Sequence, residues 1–467
     1  MAKPIPFIGA PGQRATGETD QRYVNVLFEV DKNPTPGSFP VNCLKRPGLS
    51  TSTQPAGGAA TGRGIYHWSV TGDIYSVFGG STFVNTSTLV SSMTAGSGRV
   101  WFTPIHNDTG TAKLMVSDGA VDYQITSTNV VSTMSTFGST QHTASAVELD
   151  GFWFHLFPDG KLRNTAVNTV STWGAAAYLT LDTYGTDAVA IHRQKDQIIG
   201  FTKNRIEFFF NNGNPTNSPL LRIDQNTIAL GLAHKNSLSS AGETACFVSE
   251  NPGDGGLRSV YMIQSLGKVS EIADSKLKRF LNAEGLSISS CTSWMETLSG
   301  QLVYHLNLAS ANRSFQYGID SGLWAEAEDT TSTKLNIVAA TSKNGEVYAQ
   351  HATDGRIYTF QPAVYQDNET NFEVVLQTSR SNYGSGTRKY EADVQVIGDT
   401  STGTLYVDVS DNDFTGWTTV GEIDMSKDQK RATRLGAFYA RAHRFRFQAN
   451  APLRLQAFIP GVRVEMS

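Results

Sequence analysis

Five aspartates, Asp73, Asp150, Asp159, Asp196 and Asp354, stand beside short turn sequences and are the first candidates for acid–base chemistry. Hydrolysis of a glycoside needs two carboxyl groups close across the scissile bond, one giving a proton while the other attacks or activates water. Aspartate is also an ordinary residue of hairpin turns, because its side chain accepts a hydrogen bond from backbone two residues on. Convergence of any two of the five is not written in a sequence, and the turn role, the default for hairpin aspartates, is the expectation. The nine histidines are dispersed; His142 with His155, or His305 with His351, are the pairs that folding could unite, and a structural role is expected for all four. Cys43, Cys246 and Cys291 are an odd number without metal-ligand spacing, which points to free thiols in a protein assembled in a reducing cytoplasm.

The run from Ser410 to Trp417 partly matches the Asp-box hairpin of sialidases. It has the Ser and the Trp, but Asn412, Phe414 and Gly416 replace the motif's Asp, Gly and Thr. Such boxes stabilise turns and are not catalytic. No phosphate-binding loop, dinucleotide fingerprint, Gly-x-Ser-x-Gly elbow or His-Glu-x-x-His zinc motif occurs. The expectation is therefore a protein that is not an enzyme, with no catalytic residue, metal ligand or cofactor assigned.

The other chemically distinct feature is charge. The whole chain carries a net −4, so its total charge writes no attraction to nucleic acid. Residues 365–425 hold eleven acids against three bases. From Lys427 onward, Lys430, Arg431, Arg434, Arg441, Arg444, Arg446, Arg454 and Arg463 face only Asp428 and Glu465. Three readings are open: a solvated edge that discourages strand-to-strand aggregation, a docking face for an acidic partner, and a nucleic-acid face. The last is weakened because Phe445 and Phe447 alternate with the arginines and should point inward, away from any base.

The elements that must position these residues are short strand pairs joined by tight turns. Asp73 to Phe78 reaches Gly79-Gly80 and leaves through Thr82 to Val84. Lys113 to Val116 meets Asp118-Gly119, and Phe152 to Phe157 meets Asp159-Gly160. Gln197 to Phe201 turns at Lys203-Asn204 into Arg205 to Phe210. Arg258 to Gln264 follows Asp254-Gly255-Gly256. Leu302 to Leu308 turns at Ser310-Ala311-Asn312, and Glu346 to Gln350 turns at Asp354-Gly355 into Arg356 to Phe360. Gly, Asp and Asn supply the positive φ that such turns demand. The turns recur about every 40 to 60 residues, near the length of a four-stranded propeller blade. An all-β fold follows: a β-propeller over residues 62–361, with seven blades and six as the alternative.

Residues 1–61 read as an extended N-terminal arm and linker. Pro4, Pro6, Pro11, Pro34, Pro36, Pro40 and Pro47 punctuate it, one strand runs from Arg22 to Val30, and Thr51 to Thr61 looks like the linker. Such an arm packs along its own domain or reaches a neighbouring subunit. Residues 362–467 read as a β-sandwich-like module, with Leu405, Val407 and Val409, then Phe445 and Phe447, then Leu453, Leu455, Ala457 and Ile459 alternating in period 2. One helix is expected over Ile272 to Ala283. The Met1-Ala2-Lys3-Pro4-Ile5-Pro6 start lacks a signal-peptide core, and no run of 18 apolar residues occurs.

Several strings occur in a telling order: Tyr23-Val24-Asn25-Val26, Leu44-Lys45-Arg46-Pro47-Gly48-Leu49, Arg63-Gly64-Ile65-Tyr66, Ser76-Val77-Phe78-Gly79-Gly80, Gly96-Ser97-Gly98-Arg99-Val100, Asp196 to Phe201, Arg205 to Phe209, Ala451-Pro452-Leu453 and Val462 to Glu465. In order and spacing they resemble the packaged-DNA stabilisation family of short-tailed phages, the tail hub or nozzle proteins. The resemblance covers roughly residues 22–465. It implies a structural virion protein, a homohexameric ring that extends the DNA channel below the portal and its head-to-tail adaptor. It also implies retention of packaged double-stranded DNA and its passage at ejection. A tail needle or distal plug and tailspikes or fibres would be neighbours, with assembly in the bacterial host cytoplasm. The alternative is a host-surface glycan-binding or glycan-cleaving tail propeller. For a ring, Tyr23 and Arg46 in the arm and Lys427, Lys430, Arg431, Arg434, Arg441, Arg444 and Arg446 in the basic strip are the expected subunit or adaptor contacts.

Overall fold

The computed structural model describes residues 4–8, 21–33, 39–90, 93, 98–119, 121–134, 146–181, 187–214, 216–251, 255–264 and 267–464. Pro11, Pro34, Pro36, Gly96, Ser97, His142, Asp254 and Glu465 lie outside the described residues. Strands dominate, because Val, Ile, Phe, Tyr and Thr recur in short alternating runs between turn residues. The chain falls into two compact units, one of residues 51–296 with 336–359 and one of 1–50, 297–335 and 360–467.

The first unit is a propeller built from four-stranded antiparallel sheets. The first sheet holds Gly62–Trp68, Asp73–Phe78, Ser81–Val84 and Ser87–Val90, paired in sequence order. The same meander recurs over residues 101–133, 146–180, 188–222 and 239–271. A further sheet orders Ile337–Lys343, Glu346–His351, Ile357–Gln361 and then Gly48–Thr53. The expected hairpins are present: Phe78 pairs with Ser81 across Gly79-Gly80, and Thr111–Ser117 pairs with Asp122–Thr126. The turns Thr109-Gly110, Asp150-Gly151, Ser299-Gly300 and Asn344-Gly345 have φ positive at both residues. That is the two-residue hairpin geometry which matches strand twist.

Each sheet buries its faces against its neighbours. Trp68, Tyr75 and Val77 pack on Leu114, Val116 and Ile125 of the next sheet. Ile105 and Met115 meet Trp153, Leu156 and Phe154 meet Ile198 and Phe209, and Phe201 and Phe208 meet Phe247 and Ile263. Ile65, Ile74 and Phe83 of the first sheet also meet Ala339 and Ile357 of the last sheet. A fully buried side chain of this size contributes about 1.5–3 kcal/mol relative to exposure, so these contacts hold the paired sheets together.

The second unit contains a β-sandwich. One sheet orders Val26–Val30, Val41–Lys45, Arg454–Val464, Lys389–Gly398 and Arg431–Phe438, with Ile5–Pro6 also paired to Arg454–Val464. A nine-stranded sheet begins with the meander Cys291–Leu298, Gln301–Leu308, Arg313–Gly318 and Leu323–Glu326. It continues through Arg22–Val24, Val374–Gln377, Ala442–Phe447, Thr404–Ser410 and Thr418–Asp424. Between the sheets Val26, Phe28, Val394, Leu455 and Phe458 meet Leu376, Leu405, Val407, Phe445 and Phe447.

Val24 pairs in parallel with Glu326 and antiparallel with Val375, so the arm's strand links the meander ending at Glu326 to Val374–Gln377 within one sheet. The arm's described strands are thus sheet members within their own chain, and Thr51–Thr53 is strand, not linker. Local alternation marks a strand but does not name its partner. The helix spans Ser275–Leu281, shorter than expected, with Asp274 as N-cap accepting from Leu277 N at 2.7 Å. Among the described residues no helix is long and apolar enough to cross a membrane.

Candidate functional site: the clamped N-terminal strand and the basic strip

Asn25 interrupts the strand pair Arg22–Val24 and Val26–Val30 with φ 57°, a left-handed conformation that asparagine tolerates better than most residues. Its backbone N donates to Glu326 O at 2.9 Å, and its Nδ2 donates to Glu373 O at 2.8 Å. Its Oδ1 accepts from Glu328 N and from Arg46 Nε, both at 2.9 Å. Arg46 is 1% exposed. Its guanidinium donates to both oxygens of Asp367, at 3.0 and 2.5 Å, and to the carbonyls of Pro47 and Glu328 at 3.1 and 3.0 Å. It lies 3.8 Å from the Phe372 ring centre. Each donor direction of this planar cation is used inside the chain.

Lys45 shares the same aromatic neighbour. Its Nζ donates to Ala449 O at 2.7 Å and lies 4.3 Å from the Phe372 ring centre. Burial, with Arg46 adding repulsion and Asp367 opposing it, lowers the Lys45 pKa to about 7. A second cluster lies beside this one. Arg22 bridges Glu326 at 2.8 Å and Glu328 at 2.5 Å, and Arg313 reaches the same pair at 3.1 and 3.5 Å. Burial raises the Glu328 pKa despite the pull of Arg22 and Arg313. Tyr23 donates from its hydroxyl to Phe7 O at 2.7 Å, and burial pushes its pKa up.

The basic strip is mostly turned into its own sandwich. Thr404–Ser410 and Ala442–Phe447 are antiparallel neighbours, with Asp408 opposite Arg444 and Tyr406 opposite Arg446. Asp408 is 0% exposed and receives Arg444 Nε at 2.8 Å, Arg446 Nε at 2.6 Å and Thr419 Oγ1 at 2.7 Å. Burial opposes its ionisation, but Arg446, Thr419 and Arg444 hold its pKa below the ordinary value. Arg446 also reaches Glu373 at 3.1 Å, and Arg444 lies 4.5 Å from the Trp417 ring centre. Arg441 is buried, binds Asp411 through two bonds of 2.8 Å and donates to Glu391 at 2.9 Å. His443 Nε2 lies 3.0 and 3.1 Å from the two Glu391 oxygens. Burial again opposes ionisation, and His443 and Arg441 together keep the Glu391 carboxyl below its usual range.

The expected contact set therefore divides. Arg46, Arg441 and Lys430 are buried, and Tyr23, Arg444 and Arg446 are engaged internally. Glu373, Glu391, Asp393, Asp399, Asp408 and Asp411 pair with arginines after Lys427 within the chain, in part because antiparallel pairing sets their strands side by side. Lys427, Arg431 and Arg434 remain on the surface. Lys427 is 3.8 Å from Asp424, Arg431 is 3.1 Å from Asp393, and Arg434 makes no ion pair among the described residues. Exposed pairs of this kind contribute about 0–1 kcal/mol each. Asn25, Asp367, Glu391 and Asp408 were not picked out as partners from the sequence. Their only signals were the Tyr-Val-Asn string and the acidic run.

The chemical candidates behave as turn or core residues. Asp159 Oδ1 accepts from Lys161 N, Asp354 Oδ1 from Arg356 N, and Asp73 Oδ1 from Asn85 Nδ2. In the Asp-box-like turn, Phe414 N donates to Ser410 Oγ, and Gly416 N donates to Asn412 Oδ1. Cys43, Cys246 and Cys291 are buried free thiols whose pKa values burial pushes up, that of Cys291 to about 12. Among the described residues no group of three His, Cys, Asp or Glu side chains is placed to hold a metal ion.

No curated protein matches the chain. Among solved structures, a Staphylococcus aureus virginiamycin B lyase has 9% identity over 68% of this chain and 98% of its own, with a TM-score of 0.43. The N-terminal domain of Nup159 has 11% identity over 73% and 98%, with a TM-score of 0.41. The WD40 β-propeller domain of Doa1 has 12% identity over 68% and 98%, with a TM-score of 0.39. A protein-family model described as Phage_stabilise, the β-propeller of bacteriophage P22 Gp10, matches residues 24–363, and the chain belongs to that family of phage structural propeller proteins.

Proposed function

We propose that the chain is the tail hub or nozzle subunit of a short-tailed phage. The observation that carries this reading is the family match over residues 24–363. On this reading the chain forms a homohexameric ring below the head-to-tail adaptor, extends the DNA channel, helps retain packaged DNA, and supports a needle or plug and spikes or fibres. A conduit works best without tight DNA binding, because every neutralised phosphate adds affinity that slows passage. The net charge of −4 and the internal neutralisation of the arginines support that requirement. A closed ring needs a heterologous interface, for which Lys427, Arg431 and Arg434 are the remaining candidates from the basic strip. The test is to image the protein with the portal–adaptor assembly of its phage. A sixfold ring of about 300 kDa, from chains of 50.6 kDa, capping the adaptor is the expected result. A chain that stays off the adaptor overturns the reading.

A further inference from the structure

The propeller unit carries a groove of 410 Å³ beside the helix Ser275–Leu281. Its floor is the strand Leu257–Gln264, where Leu257, Ser259 and Tyr261 alternate onto one face. Its wall is the helix end, through Lys278, Arg279 and Asn282. The wall is fixed in place. Asn282 Nδ2 donates to Arg258 O at 2.9 Å and to Lys278 O at 2.7 Å, and its Oδ1 accepts from Arg258 N at 2.7 Å. Leu277 and Leu281 are buried beneath.

The charges lining the groove do not cancel. Lys278 pairs with Glu271 at 2.7 Å, and Ser259 Oγ donates to the same carboxylate at 2.5 Å. Arg258 pairs with Glu250 at 3.1 Å and donates to Leu286 O at 3.1 Å. Arg279 is exposed and has no hydrogen-bond or ion-pair partner among the described residues. Among the described residues the groove thus presents one uncompensated cation beside an apolar lip, where Leu257 is 59% exposed. The complement of that surface is a carboxylate next to an apolar side chain. The volume lies in the range of built binding sites.

We propose that this groove docks an extended acidic segment of an abutting virion protein, with a carboxylate on Arg279 and an apolar side chain on Leu257 and Tyr261. The proposal rests on the family assignment and not on the hexameric ring, so failure of the ring leaves it standing. The test uses the full-length protein and a blocked, dye-labelled pentapeptide of alternating glutamate and leucine, followed by fluorescence anisotropy. Saturable binding with Kd at or below about 1 mM is expected. It should weaken as salt rises and be absent for the lysine–leucine counterpart. Arg279→Glu should weaken it at least tenfold. Because Arg279 is exposed and has no partner among the described residues, that variant should keep the parent's circular dichroism and melting temperature. Failure of the glutamate peptide to saturate, or equal binding by Arg279→Glu, overturns the proposal. Binding of galacturonate in place of the peptide overturns it too and assigns the groove to acidic sugars.

Discussion

Replacing Arg46 by Met keeps most of the stem that packs on Phe372 while removing the cation. The structure sets the cost. Five side-chain hydrogen bonds disappear, Asp367 keeps its bond from Leu49 N at 3.1 Å, and its carboxylate, 11% exposed, loses its hydrogen-bonded counter-ion and is left with the Lys45 ammonium as its nearby cation. Breaking one partner of a buried pair costs about 3–5 kcal/mol. At about 1.36 kcal/mol per factor of ten, that is roughly a 10²- to 10⁴-fold increase in opening of this region. Hydrogen exchange reads it at the amides of Asn25 and Arg46, which bond Glu326 O and Asn25 O. Acceleration of less than about tenfold in Arg46→Met would refute the idea that this ion pair clamps the strand. The double variant Arg46→Met with Asp367→Leu removes both charges, so it should regain most of the loss. Losses that simply add would sink the coupling argument.

The two units should respond to pH with opposite slopes. The folded-state pKa of Lys45 is lowered from 10.5 to about 7, so between those values the unfolded chain binds more protons. Sandwich stability should then rise from about pH 7 to 10.5, and a pH series of urea midpoints should show that rise disappear in Lys45→Met. In the propeller, burial, with Asp118 adding and Ser117 opposing, raises the Asp122 pKa from 3.8 to about 7. That contribution is fully present below pH 3.8 and lost as pH rises through about 7, and Asp122→Asn should flatten the decline. Reversing Arg444 and Arg446 to Glu should destabilise the sandwich by more than about 3 kcal/mol, because it crowds new carboxylates onto the buried Asp408. Failed tail assembly in that variant would report lost folding, which thermal melting of the purified protein checks. Lys427→Glu with Arg434→Glu should stay within about 0.5 kcal/mol of the parent, so an assembly defect there would report a contact.

The hairpins were legible because period-2 alternation and turn residues are local. Gln197 to Phe201 and Glu346 to Gln350 were placed within a residue of the observed Gln197–Thr202 and Glu346–His351. Gly48–Thr53 was not legible as the outer strand of a sheet, since its partner Ile357–Gln361 is remote in sequence and the Thr-, Gly- and Ala-rich stretch from Thr51 looked like a linker. The same limit hid the site. Arg444 and Asp408 stand opposite one another only because two particular strands pair. A sequence that separates acids from bases looks like a docking face until that pairing is known. Arg46 gave no sign of burial, as arginine is rarely buried unless paired.

The strand Gly48–Thr53 also sets a clock. Its neighbour Ile357–Gln361 leaves the ribosome about 300 residues later, which at about 5–20 residues per second is roughly 15–60 s. Throughout that interval the early strand has no native partner in its sheet, and the propeller circuit stays open. Two nascent chains growing side by side on one message present such strands to each other, and each fits the other's last sheet as well as its own. Spacing between ribosomes, slow codons before residue 357, or a chaperone over the first fifty residues would then decide between closed monomers and chains exchanged through this strand.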